Sequence, residues 1–126
     1  MTDAAGVERD SRWLGRYGER VAASWLRSKG CRILARGFRG PRRGEVDLIA
    51  RRGKLLLFVE VKTRQADAAV RPLSAVDARK RSLIERGAHA WLRQLGTRKL
   101  PWRFDVIEIL VTDGERPVVR WIENAW

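Results

Sequence analysis

The run Leu55-Leu56-Leu57-Phe58-Val59-Glu60-Val61-Lys62 constrains this chain more than any other segment, because it is apolar until two charges of equal parity close it. A short apolar run rich in β-formers reads as a strand, and successive strand side chains alternate between faces. Glu60 and Lys62 therefore share a face with Leu56 and Phe58. That face is buried or half-buried, and a carboxylate and an ammonium are costly there without partners. A second β-rich run, residues 45–51, precedes it across Gly53-Lys54, a pair suited to a two-residue hairpin with Gly at the first central position. Pairing around that turn puts Asp47 directly opposite Glu60 and Glu45 opposite Lys62. If the turn slips to Arg52-Gly53, Asp47 stays on the same face, diagonal to Glu60.

Two carboxylates facing each other across a strand pair repel unless a cation or a proton lies between them. A divalent cation is the natural resolution, and an oxygen-only site suits Mg²⁺, with Mn²⁺ as a substitute. The single Cys31 and the lone His89 exclude a cysteine-based zinc site, a disulfide within the chain and histidine-rich metal centres. Lys62 is one of only five lysines in a chain that otherwise uses arginine, and a compact ammonium can orient a water or meet developing charge. The plain alternative for Asp47, Glu60 and Lys62 is a structural ion-pair ladder.

Glu19 offers a third carboxylate, since its helical neighbours Gly15, Ala22, Ala23 and Leu26 form a small apolar surface. It reads equally as a solvated helix-edge acid beside Arg16 or Arg20. Lys80 falls between Val76 and Ile84 on an apolar stripe, and either points at the same site or snorkels past the core. Asp105, in Arg103-Phe104-Asp105-Val106, reads as a strand residue in a structural ion pair rather than a catalytic group.

The remaining elements follow from periodicity. Leu14, Tyr17, Val21 and Trp25 recur at helical spacing over residues 11–29, with Gly30 as a stop. Residues 31–38 read as a strand and 40–44 as a loop. Ser74 and Asp77 resemble a capping box before a second helix, in which Val76, Leu83, Ile84, Ala88, Trp91, Leu92 and Leu95 lead to Gly96. Strands at 102–112 and 118–122 complete the order α-β-β-β-α-β-β. The second helix serves as a crossover that sets the strand from Trp102 parallel to the one ending at Arg64, giving a mixed sheet flanked by helices.

The chain has 126 residues, enough for one domain, expected over 11–126 after a flexible leader at 1–10. No apolar run is long enough for a membrane helix and no secretory signal opens the chain, which predicts a soluble cytoplasmic protein. Lys and Arg number 27 against 15 acids, a formal +12, which favours nucleic acid as partner. A compositional bias toward Arg and Ala is the competing explanation of that charge.

The string Gly44-Glu45-Val46-Asp47-Leu48-Ile49-Ala50, a gap, then Phe58-Val59-Glu60-Val61-Lys62-Thr63-Arg64 resembles the signature of the YraN-like family, related to the PD-(D/E)XK nucleases and, within them, to archaeal Holliday junction resolvases. Gly18-Glu19, Gly30, Lys80 and Arg103-Phe104-Asp105-Val106 also fit that pattern, while Val46 stands where the nuclease motif often has Pro. The resemblance implies a restriction-endonuclease-like α/β fold. It matches Asp47, Glu60 and Lys62 to the aspartate, glutamate and lysine of the nuclease motif, and Glu19 to the helix glutamate of the resolvase-like branch.

The function this implies is a metal-dependent endonuclease acting on branched or structured DNA in repair or recombination. Asp47, Glu60 and the Val61 carbonyl would hold Mg²⁺, Glu19 would complete or bridge the site, and Lys62 would position or activate the attacking water. A homodimer is the expectation by analogy, since cutting both strands of a junction takes two sites. The alternatives are a nucleic-acid-binding module without turnover, using basic surface and exposed Trp, and a subunit of a larger DNA-processing assembly.

Overall fold

The computed structural model describes residues 11–65, 76–96 and 99–126. Residues 1–10 and Ser74, and with them the expected leader and the first half of the capping box, lie outside the described residues. The elements run α1 (Ser11–Ser28), β1 (Arg32–Arg39), β2 (Glu45–Arg52), β3 (Leu55–Gln65), α2 (Ala78–Leu95), β4 (Trp102–Val111) and β5 (Val118–Ile122), the order read from the sequence. One five-stranded sheet has the order β1-β2-β3-β4-β5. Its pairs are antiparallel except β3 with β4, which run parallel across the α2 crossover.

The Gly53-Lys54 turn is the one formed: Arg52 pairs with Leu55 and Leu48 with Val59. Gly53 has φ of +61°, as the first central position of such a turn requires. The β2–β3 pairing ends at Leu48 and Val59, so Asp47 and Glu60 lie where the ladder stops. Strict alternation also slips there, because Val46 packs in the core beneath α2 whereas Leu48 packs beneath α1.

Each helix covers one face of the sheet. Beneath α1, Ala22, Ala23 and Leu26 meet Leu48, Ala50, Leu57, Val59, Ile107 and Ile109. The stripe expected from spacing, Leu14, Tyr17, Val21 and Trp25, is instead half-buried along the rim. The small Ala22 and Ala23 beside Leu26 let the helix axis approach the sheet, while Tyr17 and Trp25 wrap its flanks. At Gly18 an added Cβ would stand 2.8 Å from Thr63 Cβ of β3, so only glycine permits the approach. Beneath α2, Ile84, Ala88 and Leu92 pack on Val46, Ile49, Leu56, Phe58 and Val106. Asp77 is itself the N-cap of α2, accepting from Lys80 N at 2.8 Å, and Gly96 closes the helix in the left-handed conformation. Leu95, in the last turn, is 43% exposed rather than part of the stripe.

All six Trp are at least half-buried. Trp126 stacks on Phe104 and Trp91 meets Phe38 edge to face. No helix among the described residues is long and apolar enough to cross a membrane.

Candidate carboxylate site at the β2–β3 fork

Where β2 and β3 cease to pair, backbone N–H groups need other acceptors. Asp47 supplies one: its Oδ2 accepts from Val61 N at 2.9 Å. That bond brings the Asp47 carboxyl across to β3, beside the carboxyl of Glu60. Glu60 is buried, 3% exposed, because Leu56 and Phe58 on the same strand face line the core under α2.

Burial, the hydrogen bond to Asp47 and the repulsion of that carboxylate push Glu60 up to about 9, against the attraction of Lys80 and Lys62. At neutral pH the Glu60 carboxyl is thus protonated. Lys62 Nζ stands 4.0 Å from Glu60 Oε2, and Lys80 Nζ, from α2, stands 3.5 Å from the same oxygen. Lys80 also donates to Glu45 Oε1, which faces Arg39 at 3.5 Å on its other oxygen. Of the two readings open for Lys80, the geometry selects the one in which it points at the site.

Glu19 approaches from α1. Burial first, then the charge of Asp47, raises its pKa, opposed by Arg36 and Arg39. It lines a cleft of about 390 Å³ with Trp13, Arg16, Arg20 and Arg36. It feels the charge of Asp47, but among the described residues no three Asp, Glu, His or Cys side chains are gathered closely enough to hold one metal ion. The inner group is therefore Asp47, Glu60 and the Val61 backbone with Lys62 and Lys80 beside it; Glu19 lies outside.

Glu45, expected opposite Lys62, pairs instead with Lys80. One residue escapes the sequence reading. Glu108 of β4 is 1% exposed, registers beside Lys62 and has no hydrogen-bond partner on either oxygen. Burial raises its pKa, against the pull of Arg120 at 3.8 Å and of Arg64. A lone acid within Val106-Ile107-Glu108-Ile109-Leu110 was the visible signal. Asp105 is structural: fully buried, it accepts from Arg103 Nε at 2.9 Å, Trp121 Nε1 at 2.8 Å and Asn124 N at 2.9 Å.

The donors at the fork are all oxygen, and a small hard cation there would relieve both the burial of Glu60 and its repulsion with Asp47; that chemistry fits Mg²⁺ or Mn²⁺. The sequence pattern of the uncharacterised protein family UPF0102 matches residues 18–109. The chain is 44% identical over 114 residues to a UPF0102 protein of Trichlorobacter lovleyi, covering 90% of this chain and 89% of that one. It is 44% identical to one of Symbiobacterium thermophilum, with 92% and 98% covered, and 45% identical to one of Nocardia farcinica, with 87% and 86% covered. Among solved structures it is similar to Hjc, a Holliday junction resolvase of Archaeoglobus fulgidus, at 17% identity and a TM-score of 0.48, covering 86% of this chain and 73% of that one.

Proposed function

The chain belongs to the uncharacterised protein family UPF0102, and from its fork site we propose that it is a divalent-metal-dependent DNA endonuclease. The observation that carries this reading is the facing carboxyl pair, Asp47 and Glu60, buried at the sheet's fork with the Lys62 ammonium 4.0 Å from Glu60. A binding module has no use for two like charges on a costly face, whereas phosphodiester hydrolysis needs both a cation site and a group to manage the nucleophile.

In this reading Asp47, Glu60 and the Val61 carbonyl would hold Mg²⁺ or Mn²⁺, with Glu19 as an outer acid of the same site. Such an ion would supply the acidity of a water and the neutralisation of charge on the phosphoryl oxygens. Lys62 orients the attacking water and meets the charge that develops in the transition state. Lys80 anchors Glu45 and Glu60, holding the carboxyls in place from α2. The formal +12 supplies the attraction to the phosphate backbone. Branched DNA is the favoured substrate because the motif around Asp47, Glu60 and Lys62 resembles that of resolvase-like nucleases.

The test is incubation with four-way junctions, flaps, single strands and linear duplex, with Mg²⁺, Mn²⁺ or EDTA. Cleavage of a branched substrate with metal, and none with EDTA, is expected. Tight binding without cleavage under any divalent ion would replace this reading with the binding module.

A further inference from the structure

A second charged feature lies away from the fork. The loop at residues 40–44, between β1 and β2, lies flat on α2 because both surfaces lack side chains where they touch. A Cβ on Gly44 would stand 2.7 Å from Gly87 N, and one on Gly87 would stand 2.8 Å from Glu45 N. The loop carries Arg42 and Arg43 with φ of +56° and +60°, a left-handed backbone that Gly or Asn would adopt at lower cost. Arg86 Nη1 donates to Arg42 O at 3.1 Å and ties the loop to the helix. Between them lies a cleft of about 790 Å³ lined by Pro41, Arg42, Arg86, His89 and Arg93.

Arg39 sits beside Glu45 and Arg103 beside Asp105. Among the described residues Arg42, Arg86 and Arg93 have no carboxylate partner, and His89 Nδ1 is buried without a hydrogen-bond partner. Three guanidiniums carried on one loop and one helix and lining a common cleft match the oxygens of phosphate better than any neutral ligand.

We propose that this cleft binds the phosphate backbone of DNA, as an anchor separate from the carboxylate site; this rests on the reading that DNA is the partner. Arg86 and Arg93 follow Lys80 on α2 by about 9 and about 20 Å at ~1.5 Å per residue. With roughly 3.4 Å per nucleotide along one strand, the anchored phosphates lie about three to six nucleotides from the one at the fork.

The experiment measures binding of a short fluorescently labelled duplex in EDTA, where nothing is cut, across a salt titration. The variant Arg42→Gln/Arg86→Gln/Arg93→Gln is compared with Arg27→Gln/Arg32→Gln/Arg116→Gln, which removes the same charge from exposed positions elsewhere. The cleft variant is expected to flatten the log-log salt slope by about 3 units, and the control to leave it near wild type. Arg42→Gln/Arg93→Gln keeps the Arg86 tie to the loop and is expected to flatten it by about 2 units, so a folding defect in the triple variant does not shelter the proposal. Equal losses in cleft and control variants would overturn the anchor alone. Failure of the wild type to bind duplex would overturn the anchor and the DNA reading together.

Discussion

Glu60 couples the candidate site to pH. Its pKa is raised from 4.5 to about 9, chiefly by burial, so the folded chain holds a proton that the unfolded chain releases. Its stabilising contribution is full below 4.5 and is lost as pH rises through about 9. Without divalent ions, the melting temperature should therefore decline with pH across that window. Glu60→Gln keeps a neutral donor to Asp47 and should flatten the decline; equal slopes for the two proteins would mean that Glu60 does not hold the proton. Glu19 and Glu108 shift in the same direction, so Glu60→Gln removes part of the slope rather than all of it. If a cation replaces the proton, Mn²⁺ should raise the melting temperature more at high pH than at low pH.

Among the secondary-structure elements, the contacts that set the fork are close approaches and one buried ionic hub. Gly87→Ala would drive a Cβ to 2.8 Å from Glu45 N and 2.9 Å from Glu45 C, backbone atoms that cannot rotate away. Chemical denaturation should show a loss of about 1–3 kcal/mol. Asp105→Ala leaves Arg103, Trp121 Nε1 and Asn124 N without their shared acceptor and should cost about 3–5 kcal/mol, with β5 and the C-terminus losing amide protection first. The element order and the Gly53-Lys54 register were legible in the sequence because periodicity and turn chemistry are local. That α1 buries Ala22, Ala23 and Leu26 fully and leaves Leu14, Tyr17, Val21 and Trp25 half-buried was not, since it depends on how closely the helix approaches Thr63. The same holds within the site. Parity grouped Glu60 with Lys62, but Asp47 reaches its place through a slip in alternation and a bond to Val61 N that no spacing rule contains. Lys80 and Glu45, 35 positions apart, meet only because α2 folds back over β2.

Taken together, the sheet presents a carboxylate fork under α2 on a chain with a formal +12. If that charge serves a polyanion, DNA affinity should fall steeply with salt; six neutralised phosphates give a log-log slope of roughly −5 for duplex. A slope near zero would assign the charge to composition. The most direct test of the nuclease reading compares wild type and Lys62→Ala on one branched DNA with Mg²⁺ or Mn²⁺, measuring binding and cleavage side by side. One ammonium among 27 basic residues contributes little to affinity. The variant should therefore bind as wild type does and cut about 10²- to 10⁴-fold more slowly. Normal cleavage by Lys62→Ala, or a wild type that binds and never cuts with any divalent ion, would contradict the mechanism.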